Sequence, residues 1–477
     1  MILRHIIKTG TSLLFLQTLT LAALAQTAPV QQVNKIIALP TAVESIHFLA
    51  ADELRGRGPF GNEVQVAARY IAEQLRSAGA KPFPTAPDYF QVFPFHSYQT
   101  PRQASITVGG KTFQLGTDLV QSGGSDTTLS APAVLVTKDA LATTDVKGKI
   151  VVTNDNLSNQ ALQEKGALAK VVRFKQGGTP WSEYLAHFTG ERPVNSFFRS
   201  YVVNDEGNAL TTALGSGTGT LSVSTSGAQH RASGLKNVLG YVEGTDPQLK
   251  NQYIVLTAHY DHVGVAKTAK VVDGKADSIY NGARDNAVGV AAIINAARYF
   301  AQHPPKRSVL FIAYGGEEGG MLGSRYFAAN PVVPMRQLVF NMNIDNAGYN
   351  DTTVVTVVGL GRTSADEHFK KAASALGLSA IPDPSPEQGL FDRSDNVSLA
   401  VHGVPAPTFS LGFRAFDASI SRYYHQVTDE TSSLSMPYVL KYIKAYVLAA
   451  KYIADDKAQP TWIKGDKYEA AANTLYK

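Results

Sequence analysis

From Asn237 onward, short apolar runs of strand length alternate with longer amphipathic runs of helix length, and this alternation narrows the available folds more than any other feature of the chain. Tyr253–Ala258, Val309–Ala313, Leu338–Ile344, Thr353–Val358 and Pro407–Leu411 read as buried strands. Between or after them, Val288–Phe300, Ser324–Ala329, Ala365–Leu376 and Pro437–Ile453 carry apolar residues at helical spacing. Strands alternating with helices predict an α/β fold: a mostly parallel sheet with helices on both faces. In such sheets ligands collect beyond the C-terminal ends of the strands, which is where chemistry is to be sought.

The rest of the chain differs in texture. Ala42–Leu49 and Glu63–Ala78 read as helices, separated by the loop Asp52–Gly58, and Gly79 stops the second. From about Gly116 to Thr225, β-branched runs such as Ala133–Thr137, Ile150–Thr153 and Leu221–Ser224 alternate with Gly, Ser, Thr and Asn clusters. This predicts a smaller β-rich domain over 116–228, inserted between an N-terminal part of the main domain (26–115) and its larger remainder (229–477). Residues 1–25 have a short basic stretch (Arg4, His5, Lys8), an apolar stretch from Leu13 to Leu24, and Ala23-Leu24-Ala25 before Gln26. Small residues in those positions predict a signal peptide cleaved after Ala25, hence an exported protein, periplasmic or extracellular, free of the membrane once cleaved. The net charge of +5 is small and spread along the chain, which argues against a nucleic-acid binder.

The chain has no cysteine, so disulfides and thiolate ligands are excluded and any metal must be held by His, Asp and Glu. Three predicted strands end in such residues. The first runs into His259-Tyr260-Asp261-His262, the second into Gly315-Gly316-Glu317-Glu318, and the third into Asp345. Asp285 stands where a loop enters a helix, and His425 lies in Tyr423-Tyr424-His425-Gln426. Taken singly, each has an ordinary reading: a turn histidine, a helix cap, a solvated acidic turn. Together, so many carboxylates at one sheet edge would repel one another unless cations were present. Two divalent ions a few ångströms apart resolve that repulsion, with Asp285 bridging them. His259 and Asp345 would complete one site, and Glu318 and His425 the other. Asp261 is expected to orient the His259 imidazole, and Glu317 remains free to take a proton from water. Sulfur-free ligation suits zinc, with cobalt or manganese as possible substitutes. His262, His368 and His402 are read as ordinary histidines.

These residues resemble the co-catalytic dizinc aminopeptidase family, which includes bacterial leucyl aminopeptidases and, more remotely, glutamate carboxypeptidase II. Asn237-Val238-Leu239-Gly240, the double-Glu segment Gly316-Glu317-Glu318 through Gly323-Ser324, Arg393-Ser394-Asp395 and Gly403-Val404-Pro405-Ala406 carry the likeness further. It covers about residues 40–115 and 235–455. Asp145-Val146-Lys147-Gly148-Lys149-Ile150 and Lys165–Val172 resemble a protease-associated domain. Three positions depart from the family pattern: Arg284 replaces an acid, Val288 a serine, and Asn396 a histidine.

The resemblance implies hydrolysis of the first peptide bond of a peptide substrate by metal-activated water, with Glu317 as general base and then acid. Tyr424 is expected to donate its hydroxyl to the developing oxyanion. The same frame accommodates a carboxypeptidase or dipeptidase, and a related scaffold a glutaminyl cyclase-like transferase with one zinc.

Overall fold

The computed structural model describes residues 28–477 apart from 60, 175–179, 188–190, 194–196 and 215–217. The expected signal peptide lies outside the described residues. No helix among those described is long and apolar enough to cross a membrane. The chain divides into two compact units, one made of residues up to Phe93 together with Leu235–Lys477, the other of Pro94–Gly234.

The first unit is built on a sheet ordered Ser379–Pro382, Val354–Val358, Thr408–Leu411, Leu338–Ile344, Tyr253–His259, Ser308–Tyr314 and then residues 235–242. Its centre is parallel: Tyr253–His259 pairs in parallel with both Ser308–Tyr314 and Leu338–Ile344. Toward the edges the sheet is mixed, because residues 238–242 run antiparallel to Ser308–Tyr314 and Val354–Val358 antiparallel to Thr408–Leu411. The expected parallel sheet is therefore found at the core, and outside it parallel and antiparallel pairs mix, the edge pair Val354–Val358 and Ser379–Pro382 being parallel and connected through the helix Asp366–Ser374.

Side-chain alternation decides what each face buries. On one face Val255, Leu310, Ile312 and Leu338 pack with Phe327, Ala328, Leu399 and Val404. On the other, Phe311 meets Phe300 of the helix Val288–Gln302, and that helix packs against Leu39–Leu49, Glu63–Ala78 and Met436–Asp455. The helix Met436–Asp455 presents a stripe of tyrosines at every fourth position. Tyr438, Tyr442 and Tyr446 donate their hydroxyls to the carbonyls of Val354, Phe409 and Met342 at 2.8, 2.7 and 2.9 Å. Each buried phenol thus finds an acceptor, and the helix is tied to the sheet in one register.

The second unit has its own eight-stranded sheet, parallel from Thr127–Leu135 through Ile150–Thr153 and Ala169–Arg173 to Ser200–Val203 and antiparallel elsewhere. Ile106, Phe113, Leu119, Ile150, Val152, Val171, Tyr201 and Leu221 fill its core. Its start differs from the expectation drawn from local texture, which assigns residues up to 115 to the main domain. Gln103–Val108 pairs with Thr218–Ser226 (Ile106 opposite Val223) and Lys111–Gln114 pairs with Gln103–Val108, so both strands fold with this unit. The partner of the first strand is more than a hundred residues away, and short-range composition carries no trace of it.

Candidate metal centre

Each residue expected at the sheet edge is delivered by an element whose sequence dictates its course. The strand Tyr253–His259, buried from Ile254 onward, ends with His259, Ser308–Tyr314 leads through two glycines to Glu317 and Glu318, and Leu338–Ile344 ends one residue before Asp345. Asp285 and Asn286 have non-helical backbone angles just ahead of the helix Val288–Gln302, and the peptide between them is cis. The Asp429 carboxylate fixes this turn, accepting the backbone N–H groups of Arg284 (2.9 Å) and Asp285 (3.1 Å).

The donors converge in two groups that share Asp285. His259 Nε2 lies 3.1 Å from Asp285 Oδ1 and 3.5 Å from Asp345 Oδ1. His425 Nε2 lies 3.2 Å from Asp285 Oδ2 and 3.3 Å from Glu318 Oε1. The five side chains named as ligands from sequence therefore do meet, His259, Asp285 and Asp345 on one side and Asp285, Glu318 and His425 on the other.

His262 joins the second group and corrects the reading of it as an ordinary histidine. Its imidazole is fully buried, with Nδ1 2.8 Å from Glu318 Oε1 and 4.0 Å from Asp285 Oδ2. Gly282, at φ +61°, makes room for it, since a Cβ there would stand 2.6 Å from the His262 ring. The available signal was its place three residues after His259, beyond the strand end, where side chains no longer alternate strictly. His368 instead pairs with Asp456 at 2.9 Å, away from the centre, and His402 is exposed on a turn.

A donor set built for a cation leaves its atoms aimed at a common point rather than at one another. His259 Nε2, both His262 ring nitrogens, Asp285 Oδ1 and Glu318 Oε1 are buried without a properly aligned hydrogen bond despite their closeness. Unsatisfied buried groups of this kind are costly, and five such atoms meet in this one cluster of imidazoles and carboxylates. The residues fit divalent ions held by N and O donors.

The electrostatics agree. Burial opposes protonation of His425, yet Asp285 and Glu318 beside it outweigh burial and raise its pKa to about 10. His259, between Asp285 and Asp345, is likewise raised well above the ordinary range against its burial. The cluster draws in positive charge wherever it can. Desolvation, reinforced by Asp345, Asp395 and Glu318, pushes the Glu317 carboxyl well above the usual range.

The support around the ligands differs in one respect from expectation. His259 Nδ1 is oriented by the backbone carbonyl of Asp261 at 3.1 Å, not by its carboxylate. The Asp261 carboxylate accepts the backbone N–H groups of Glu317 (3.1 Å) and Glu318 (3.3 Å) and so pins the double-Glu turn. The strand ends at His259, so Asp261 lies beyond the regular alternation of side chains, and its carboxylate serves the neighbouring loop. Behind them lies Arg57, fully buried, a residue that sequence reasoning passed over within its loop. Its guanidinium donates to the carbonyls of Tyr260 (2.7 Å), Asn281 (2.6 Å) and Gly282 (3.0 Å), clamping the loops that carry His259, His262 and Asp285. Gly56 beside it takes φ +65°, and a Cβ there would approach the carbonyls of Gly264 and Tyr280 to 2.4 Å.

Glu317, Tyr424 and Arg393 line the same cleft as Asp285, Glu318, Asp345 and His425. The Tyr424 ring stacks on His425 at 4.1 Å between centroids, and its hydroxyl has no hydrogen-bond partner among the described residues. Arg284 is turned away from the ions' place. Its guanidinium lies over Tyr423 (3.7 Å) and Tyr349 (4.3 Å) and donates to Ser433 O at 2.8 Å. Asn396 bonds the carbonyls of Phe391 and Ala406, both at 3.1 Å.

An α/β fold whose strand ends gather two cation-seeking donor groups around one carboxylate defines a metal-dependent class of protein. Residues 237–450 match the family model of Peptidase family M28. Curated relatives include a "Probable zinc metalloprotease" of Pyricularia oryzae, 30% identical over 166 residues, which are 33% of this chain and 31% of that protein. A "Probable zinc metalloprotease" of Pyrenophora teres f. teres is 35% identical over 94 residues, 20% of this chain and 18% of that protein. The chain thus spans less than a third of the length of these relatives, 18% of one and 31% of the other. Among solved structures, the aminopeptidase from Aneurinibacillus sp. strain AM-1 superposes with a TM-score of 0.57 at 22% identity, covering 90% of this chain and 97% of that one. That likeness establishes a shared fold.

Proposed function

We propose that the protein is an exported zinc aminopeptidase that hydrolyses the first peptide bond of peptides. The observation that carries the reading is the sharing of Asp285 between two donor groups, with the carboxyl of Glu317 in the same cleft. His259, Asp285 and Asp345 would hold one ion. Asp285, Glu318 and His425 would hold the other, with His262 supporting Glu318. Zinc supplies Lewis-acid chemistry, lowering the pKa of water and polarising the scissile carbonyl.

The chain's own groups do the rest. Glu317, whose carboxyl already favours holding a proton, accepts one from the attacking water and returns it to the departing amine. Asp261 fixes where that carboxyl sits, through the backbone N–H it accepts. The Tyr424 hydroxyl, without a hydrogen-bond partner among the described residues, donates to the oxyanion as it forms. The inserted unit is read as a protease-associated-like module.

The test is release of N-terminal residues from peptides with a free, or a blocked, amino group, before and after chelation and zinc readdition. Cleavage that needs both the free amine and the metal is expected. Cleavage of amine-blocked peptides from the carboxyl end would establish a carboxypeptidase instead, and full turnover after chelation would refute the metal mechanism. Ammonia release from an N-terminal Gln peptide would reveal a cyclase.

A further inference from the structure

Beside the metal centre lies a pocket whose wall is shared with it through Asp345 and Tyr424. Its apolar lining includes Leu390, Val358 and Phe413, but its polar groups are what set its chemistry. Arg393 is the one cation among the described residues that line it, and Arg393 also lines the cleft of the metal centre. The guanidinium makes no ion pair among the described residues. Its one hydrogen bond there is to the carbonyl of Gln388, at 3.3 Å.

Two buried hydroxyls in the same pocket, those of Ser394 and Thr408, have their hydrogen-bond direction imposed from behind. The amide of Asn341 donates to Thr257 Oγ1 at 2.9 Å, and the Thr257 hydroxyl donates in turn to Asn343 Oδ1 at 2.8 Å. That settles which end of the Asn343 amide is oxygen. Its nitrogen then donates one hydrogen to Ser394 Oγ at 2.9 Å and the other to Thr408 Oγ1 at 3.2 Å. Both hydroxyl oxygens are thereby acceptors on the protein side. Neither hydroxyl hydrogen has an acceptor among the described residues, so each is left to donate to whatever enters.

We propose that this pocket receives the side chain of the substrate's first residue and selects one that ends in a carboxylate, with Arg393 as counter-charge and Ser394 and Thr408 as donors. The proposal rests on the aminopeptidase reading and specifies its substrate class. Asp345, the one acid lining the pocket, belongs to the His259 donor group, so its charge is directed at the cation that group would hold. The apolar walls accommodate the methylenes of Glu, while a site built of donors rejects an aliphatic side chain by leaving those donors unpaired. A charge-assisted bond to guanidinium separates carboxylate from carboxamide.

The experiment uses the zinc-loaded full chain with Glu-, Asp-, Gln-, Leu- and Lys-aminoacyl reporters, and calorimetry of free L-glutamate against free L-leucine. The expected result is a kcat/KM for Glu about tenfold or more above that for Leu and for Gln. Arg393→Ala should lower the Glu/Leu ratio by about tenfold, mainly through KM, and Arg393→Lys should restore part of it. A wild-type preference for Leu, equal use of Gln and Glu, or an unchanged ratio in Arg393→Ala would overturn the proposal. Cleavage of Leu but not Glu reporters would sink this pocket assignment alone. If no reporter were cleaved, the aminopeptidase reading would fall, and calorimetry would still decide whether the pocket binds glutamate over leucine.

Discussion

The two units differ in where their buried charges lead: the first gathers a group of them into one candidate metal centre, and the second does not. In the second unit the buried charged residues among those described are Lys170 and Asp205, and each is satisfied by the protein itself. Lys170 donates to Leu157 O at 2.9 Å. Asp205 pairs with Arg173 Nε at 3.1 Å and accepts the Leu210 N–H at 3.2 Å. In the first unit His259, His262, Asp285 and Glu318 crowd together with buried atoms unsatisfied. Low-dielectric surroundings make unpaired polar atoms expensive, so such a concentration persists only where something outside the chain completes it. The first unit also has buried charges that hold it together, Arg57, Asp261 and Asp429 among them, but it alone gathers a cluster of imidazoles and carboxylates of the kind that takes a cation.

That contrast can be broken most forcefully at Glu317. If its carboxyl moves a proton rather than holding a metal, Glu317→Gln should lower kcat by about 10²–10⁴-fold while zinc content by elemental analysis stays at the wild-type level. Loss of zinc in that variant would make Glu317 a ligand and redraw the site. A smaller effect is expected at His262, which supports Glu318 from behind. His262→Ala should weaken zinc binding by about 10–100-fold in a competitive chelator titration, and unaltered affinity would return this histidine to a purely structural role.

The smallest effect concerns the other side of the comparison. Arg173→Ala leaves Asp205 buried without its ion partner and should destabilise the second unit by about 3 kcal/mol. The chain has two tryptophans, Trp181 in the second unit and Trp462 in the first. Denaturant unfolding of the full-length chain with Trp462→Phe therefore follows Trp181 alone. A midpoint that does not move would show that the Arg173–Asp205 pair contributes nothing to this unit.

Much of the centre was legible because metal ligation is a matter of residue type at strand ends. His259, Glu318 and Asp345 each follow a run of buried apolar residues, and a parallel sheet must place such ends along one edge. Asp285 and His425 were legible only jointly with them. His262 was not, because a histidine following a strand looks like any turn residue until the Gly282 turn and Glu318 close around it. The Asp261 carboxylate misled for a related reason: its proximity in sequence to His259 suggested a bond that the turn geometry gives to its backbone carbonyl. Strands 103–108 and 111–114 were grouped with the wrong unit, since the partner that captures the first lies at 218–226.

By itself the sequence determined the alternating α/β core, the exclusion of thiolate chemistry and the inventory of imidazoles and carboxylates available to a cation. These depend on side-chain chemistry and on periodicities of a few residues, which local stretches express directly. Only the tertiary structure decided which donors share Asp285, that Arg57 clamps the ligand loops, and that the Asn343 amide donates to two hydroxyls lining the pocket beside Asp345. Those outcomes depend on contacts between segments tens to hundreds of residues apart, whose directions are set when the sheet and its loops close on one another.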